Sequence, residues 1–222
     1  MTDLLVVTAV PTEAEAIQAG LDDSTVAVVP VGVGPAVAGA ATARLLAFAE
    51  AAGRPYRVVV SAGVAGGFSD RVEVGKVVLG TRAVAADLGA ESPDGFIPID
   101  ELGMAPELLG GGSAVPADAG LLATLRTALP SAVVGEVLTV NTVTGTAAST
   151  AALRRRHPDA VAEAMEGYGV AVAARHAGVP FAELRTISNP IGPRDRDAWR
   201  LHDALAALTT AAAALTTAVA LR

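Results

Sequence analysis

The chain has 222 residues, no cysteine, a net charge of −7 and 52% hydrophobic residues. That length suits one large domain, and the acidic balance excludes a binder of phosphate backbones, as does an aromatic content of only 3%. The missing cysteines exclude disulfide frameworks and Cys-based zinc sites and are compatible with the cytoplasm. The N-terminal residues 1–7 carry no basic segment and only a short apolar run, so no signal peptide is expected.

Leu4–Val10 is a continuous apolar run of the kind that forms a buried strand. Pro11 ends it. Thr12-Glu13-Ala14-Glu15 then has capping-box spacing, with Thr12 as N-cap and Glu15 reaching back, which puts Glu13 at the first helical position. Glu13 is either a first-turn acid favoured by the helix dipole or a carboxylate at the carboxyl end of a strand, where open α/β sheets hold ligands. Val26–Val31 reads as a second strand. Gly32-Val33-Gly34-Pro35 leads from it into a helix ending near Glu50. The third glycine of a dinucleotide fingerprint would fall at Val37, so nicotinamide and flavin cofactors are not expected.

Arg57–Val60 reads as a third strand, and Ser61–Phe68 as a Gly-rich turn without the Gly-Lys-Ser/Thr ending of a phosphate-binding loop. Val74–Leu79 resumes strand character. Asp87–Ala119, with Gly110-Gly111-Gly112, reads as a long irregular loop, functional or mobile. Phe96, Ile97 and Met104 within it either touch substrate or tether the loop. Leu121–Leu129 predicts a helix stopped by Pro130. Val133–Val140 predicts a strand ending in Asn141–Thr146, whose small polar groups either bond a ligand or form an ordinary loop. Ala147–Arg156 predicts a helix with a solvated basic face.

The chain is organised around Glu163–Gly169. A carboxylate beside Met165 is an odd choice for a plain core. If Glu166 is buried it must be paired or hydrogen-bonded, and a sugar diol would satisfy it. The alternative is a surface Glu at a helix start. A helix follows to His176. Phe181–Ile187 is the last strand and delivers Ser188-Asn189, with Pro190 holding Asn189 extended. Asp195 or Asp197 caps the terminal helix. Leu201, Leu205, Leu208, Ala212, Leu215 and Val219 share one face of that helix. Its Ala- and Thr-rich composition argues against a membrane span.

Alternating strands and helices predict a single α/β domain over residues 1–222, with a mixed, mainly parallel central sheet flanked by helices. Glu13, Ser61, Asn141, Glu166 and Asn189 all fall at or just after a strand or sharp turn. One cleft at the strand ends would collect them.

Taken in order, Val7-Thr8-Ala9-Val10-Pro11-Thr12-Glu13, Gly32-Val33-Gly34, Ala62-Gly63-Val64-Ala65-Gly66-Gly67, Val74-Gly75, Ala164-Met165-Glu166 and Arg185-Thr186-Ile187-Ser188-Asn189 resemble the nucleoside phosphorylase and nucleosidase superfamily. Within it the chain is most similar to the futalosine hydrolases, nucleosidases of menaquinone biosynthesis. The resemblance covers nearly the whole chain. It implies a small-molecule nucleoside substrate, no cofactor, no metal, no nucleic-acid or membrane partner, and a homo-oligomer, dimer or higher. By the resemblance, Glu13 activates water, and Met165 and Glu166 grip the ribose. Gly63, Asn141 and Val143 complete the substrate-binding set. Asn189 stands where adenine-specific members carry an Asp that protonates the leaving base. An amide supplies no proton, but it donates from nitrogen and accepts at oxygen. That pair fits O6 and the protonated N7 of a 6-oxopurine, which points to hypoxanthine. Asp195, aided by Arg194, is a further candidate beside the base. Phosphorolysis, recruiting Arg57 and Arg82, and a non-catalytic nucleoside-binding module are the competing expectations.

Overall fold

The computed structural model describes residues 3–21, 25–105, 108, 111–193 and 195–220. Strand β1 (Leu4–Thr8) is buried at every position. It lies parallel between β2 (Val26–Pro30) and β3 (Val58–Gly67). Its side chains alternate between two cores, as the period of a strand requires. Leu4 and Val6 meet Ile17 of α1 (Pro11–Ala19), Leu121 of α3 (Ala119–Ala128) and Leu208 of α6 (Leu201–Ala220). Leu5 and Val7 join Ala38 and Leu46 of α2 (Pro35–Ala51) and Val170 and Ala174 of α5 (Gly167–His176). An unbroken apolar run is what helices on both faces demand.

Beyond β1 the sheet is mixed. β3 runs parallel to β10 (Phe181–Pro190) and meets β9 (Ala160–Ala164) antiparallel at its carboxyl end. β4 (Val77–Ala85) pairs antiparallel with β10 and parallel with β8 (Val133–Thr139), which continues parallel to β9. β7 (Ala114–Pro116) pairs antiparallel with β4. The pairings β3–β10–β4–β8–β9–β3 close on themselves, so these five strands form a barrel-like ring with β1 and β2 extending from one side. "Mainly parallel" therefore describes the β1, β2, β3 and β10 half better than the rest.

Several local expectations are corrected. Ser61–Gly67 is not a turn but the continuation of β3, in register with Glu183–Pro190 of β10. Glycine here serves close approach: a Cβ on Gly67 would lie 2.7 Å from Val72 and 2.9 Å from Ile187. Ala160–Ala164, unassigned from sequence, is the buried strand β9. The stretch 87–119 holds a hairpin of β5 (Gly89–Ser92) and β6 (Gly95–Pro98) as well as β7. In it Phe96 lies under the Arg156 guanidinium, 4.4 Å from ring centre to Cζ, Ile97 pairs with Ala90, and Met104 is exposed. Gly110 lies outside the described residues.

The buried face of α6 is centred on Ala204, Leu208, Ala211, Ala212 and Leu215. Leu201 is exposed and Leu205 half-buried, and the Val219 side chain lies outside the described set. Helix α4 (Ala147–Arg156) starts at Thr146, whose hydroxyl accepts from the Ser149 N–H at 3.0 Å. Among the described residues no helix is long and apolar enough to cross a membrane.

Candidate active site

Helix α1 starts at Pro11 with Val10 as N-cap, so the predicted Thr12/Glu15 capping box does not form and Glu13 occupies the third helical position. Proline suits the first position because its fixed φ and missing N–H cost nothing there. From the third position the Glu13 side chain turns back. Its Oε2 accepts from the N–H groups of Ala9 (3.0 Å) and Val10 (3.2 Å), and its Oε1 accepts from the Val64 N–H on β3 (2.8 Å). Glu13 is thus both a first-turn acid and a buried carboxylate at a strand end, only 4% exposed.

Gly63 explains how that carboxylate fits. A Cβ built on Gly63 would lie 2.5 Å from Glu13 Oε1 and 3.1 Å from Arg185 Nη1. The glycine leaves room for a carboxylate and a guanidinium to converge beside β3. Arg185, on β10, is 1% exposed. Its Nε donates to Glu183 Oε1 (2.9 Å), its Nη1 to Glu166 Oε2 (3.4 Å) and its Nη2 to Ser61 Oγ (3.0 Å). Burial alone would lower its pKa, but the carboxylates of Glu183, Glu166 and Glu13 raise it on balance.

Glu166 sits at the N-cap of α5, where the surface-Glu reading would put it, yet it is only 6% exposed. Its Oε1 accepts from the Gly34 N–H at 3.3 Å. Gly34 has φ +93°, a left-handed conformation that glycine adopts without strain. Met165 is half-buried at the β9–α5 junction.

Asn189 lies on the last turnless stretch of β10, just after a register shift at Ile187. Its Oδ1 accepts from Ser188 Oγ (2.8 Å) and its Nδ2 donates to the Pro190 carbonyl (3.0 Å). It lines a pocket with Gly66, Val143, Thr144, Glu163 and Trp199. Val143, expected to bind substrate, lines the same pocket as Asn189. Asn141 does not join it. The Asn141 N–H (2.6 Å) and side-chain amide (3.2 Å) both engage Asp87, in a neighbouring cleft bounded by Pro35, Leu88 and Tyr168.

Asp195 also lines the Asn189 pocket, but it caps no helix, because α6 begins only at Leu201. Its Oδ1 accepts from the Asp197 N–H at 3.1 Å. Arg194 lies outside the described residues. Among the described residues no cluster of His, Cys, Asp or Glu could hold a metal ion.

Sequence reasoning missed Arg185, Glu183 and Glu163. Glu183 and Arg185 are charges inside an apolar run that reads as a strand, so that signal was available: a charge in such a run must find a partner. Glu163 lies in β9, which the sequence did not reveal as a strand. Burial raises the Glu183 carboxyl from its ordinary 4.5 to about 6, against the pull of Arg185. Burial likewise raises the pKa of Glu163, opposed by the bonds from the Thr144 hydroxyl and N–H.

A profile described as "Phosphorylase superfamily" matches residues 6–221. The futalosine hydrolase of Streptomyces coelicolor is 52% identical over 180 residues, covering 81% of this chain and 74% of its own length. That of Acidothermus cellulolyticus is 46% identical, covering 95% of this chain and 89% of its own. Among solved structures, the 5'-methylthioadenosine/S-adenosylhomocysteine nucleosidase of Neisseria meningitidis, in complex with methylthio-immucillin-A, superposes with a TM-score of 0.81 at 20% identity. It covers 99% of this chain and 100% of its own. The native futalosine hydrolase of Helicobacter pylori gives 0.75 at 17% identity, with coverage of 98% and 97%. At those identities the superpositions show the shared fold.

Proposed function

This chain belongs to the phosphorylase superfamily and, within it, to the futalosine hydrolases, and from that membership we propose that it cleaves the N-glycosidic bond of futalosine with water. The products are hypoxanthine and dehypoxanthine futalosine, in menaquinone biosynthesis. The observation that carries the reading is the Glu13 carboxylate, oriented by two backbone N–H groups just past the end of β1 and one on β3, and wedged against Gly63 beside Arg185.

In this mechanism Glu13 orients and deprotonates water as an oxocarbenium-like ribosyl group forms. Glu166, held by Gly34 and Arg185, accepts from the ribose hydroxyls, with Met165 against the sugar. Asn189 bonds the departing base at O6 and N7. Gly63 and Val143 shape the site, and Asp195 closes the base side. Asn141, expected to bind substrate, does so from the neighbouring cleft, where it is bonded to Asp87.

Phosphorolysis needs cations for the phosphate. The arginines considered for it are engaged: Arg57 with Asp3, and Arg82 with Glu136. Arg185 is buried among carboxylates. A cytoplasmic homo-oligomer, dimer or higher, acting on a small nucleoside completes the proposal.

Base release from futalosine, inosine, adenosine and methylthioadenosine, each with and without phosphate, tests it by chromatography. Hypoxanthine from futalosine without phosphate is the expected result. Release only with phosphate overturns hydrolysis, adenine release overturns the reading of Asn189, and no release brings forward a binding module. A positioned general base contributes ~10²–10⁴-fold, so Glu13→Gln is expected to fold normally and lose kcat by about that factor. Turnover near wild type removes Glu13 from the mechanism.

A further inference from the structure

Glu183 is a buried carboxylate that the mechanism leaves unused. It is 1% exposed on β10, and only one of its oxygens is engaged. Oε1 accepts from Arg185 Nε at 2.9 Å, while Oε2 has no hydrogen-bond partner among the described residues. A buried acceptor left unpaired costs stability, so packing of the core does not account for this side chain. Its surroundings are cut to fit it. In the sheet register it stands beside Ser61 of β3, and a Cβ on Gly80 of β4 would lie 3.1 Å from the Glu183 Cβ. A Cβ on Gly167, the residue after Glu166, would collide with both Glu183 oxygens. Two glycines therefore make room for a carboxylate between the sheet and the head of α5, directly behind Glu166.

We propose that Glu183 is a positioning residue for the ribose end of the site: its charge draws the Arg185 guanidinium back from Glu166 and so leaves the Glu166 oxygens free for the ribose hydroxyls. This rests on the hydrolase reading above, in which Glu166 grips the sugar. The distances show the competition. Arg185 meets Glu183 at 2.9 Å through Nε, but its Nη1 reaches Glu166 Oε2 only at 3.4 Å. Glu166 Oε1 accepts one further bond, from the Gly34 N–H at 3.3 Å. A carboxylate offers about four acceptor positions, so half of that capacity is uncommitted. As the sole counter-ion of a buried guanidinium, Glu166 would close to the ordinary charge-assisted length of about 2.7–2.9 Å. An amide at position 183 would still accept from Arg185 Nε, so only the charge changes how the cation is shared. The charges facing Glu183 are Arg185 on its own strand and Glu166 at the head of α5, with Glu13 of α1 also acting on the guanidinium; β3 and β4 present Ser61 and Gly80. Glu183 titrates at about 6. A proton there removes its pull, and the grip on the sugar weakens as pH falls through that value.

The test is hydrolysis of futalosine by the wild type and by Glu183→Gln between about pH 5 and 8, with KM and kcat determined separately. At about pH 7.5 the variant is expected to raise KM about tenfold, the effect of losing one hydrogen bond to a charged group, and to change kcat by less than about threefold. Wild-type KM is expected to rise about tenfold as pH falls through 6, and the variant to lack that rise, which separates Glu183 from Glu163 in the base pocket. An unchanged KM, a loss confined to kcat, or a variant that keeps the wild-type pH dependence overturns the proposal. So does a raised KM beside a pH-independent wild type, the result if Glu183 only fills space. If the wild type releases no hypoxanthine from futalosine, the hydrolase reading fails, and calorimetric binding of inosine and 2',3'-dideoxyinosine decides the role of Glu183 by itself. The wild type is expected to prefer inosine by about tenfold and Glu183→Gln to lose most of that preference. The same preference in both, no preference, or no binding overturns the proposal. If Glu183→Gln does not fold, the two nucleosides are compared on the wild type at about pH 7.5 and 5. A preference that shrinks at the lower pH supports the proposal, and a constant one overturns it.

Discussion

Arg185 shows how one side chain can organise a site it does not need to enter. Its guanidinium spends its donors on Glu183, Glu166 and Ser61, and lies against the space that Gly63 leaves for Glu13. Of the two carboxylates expected to act on substrate, Glu166 is bonded to this cation and Glu13 lies in its field while held by backbone N–H groups, and small displacements matter. Gly63→Ala puts a methyl 2.5 Å from Glu13 Oε1. A shift of about 1 Å at a reacting group costs ~10²-fold. Gly63→Ala is accordingly expected to keep its circular dichroism spectrum and lose about 10²-fold in kcat. A wild-type kcat would show that Glu13 has room to relax. Glu13, Glu166 and Asn189 could be named as candidates because each follows a strand or turn in a motif. Arg185 was not singled out, because the strand Phe181–Ile187 was read for hydrophobicity and its charges passed over, and Glu163 was not, because β9 was not recognised as a strand.

At the scale of elements, the pairing of α2 with α5 carries the ribose end of the site. Gly39 faces the Gly169 backbone: a Cβ there would lie 3.0 Å from the Gly169 carbonyl oxygen. A Cβ on Gly169 would lie 2.0 Å from the Pro35 carbonyl oxygen. The two helices touch through backbone, and that contact sets Gly34 at hydrogen-bonding distance from Glu166. Alanine ordinarily favours a helix over glycine by ~1 kcal/mol, but overpacking costs ~1–3 kcal/mol. Gly169→Ala should therefore be less stable by up to about 2 kcal/mol in urea unfolding and should raise KM for futalosine. A variant more stable than wild type, with unchanged KM, would mean that the helices separate freely. The helices α2, α4 and α5 could be read from their periodicity and caps. Strand β9 could not, since five small residues after a charged turn carry no period of their own.

Across the whole molecule, the ring of strands concentrates Glu13, Glu166 and Glu183 around a single guanidinium. Glu183 is fully buried and titrates near 6 instead of 4.5. The folded chain therefore holds that proton more tightly than the unfolded chain. The associated stability is complete below about pH 4.5 and is lost as pH rises through about 6. At ~1.4 kcal/mol per unit, wild type measured against Glu183→Gln is expected to lose about 2 kcal/mol between pH 4.5 and 7 in urea titrations. A pH-independent difference would mean that Arg185 keeps Glu183 ionised throughout. Composition, the apolar run of β1 and the order of short glycine and carboxylate motifs determined the α/β class, the superfamily and the candidates Glu13, Glu166 and Asn189, because those signals are local. Only the tertiary structure decided that Ser61–Gly67 is strand, that Asn141 turns to Asp87, and that Arg185 and Glu163 stand in the site. These depend on which strands become neighbours and in what register, and pairing between residues about a hundred positions apart leaves no periodic trace along the chain.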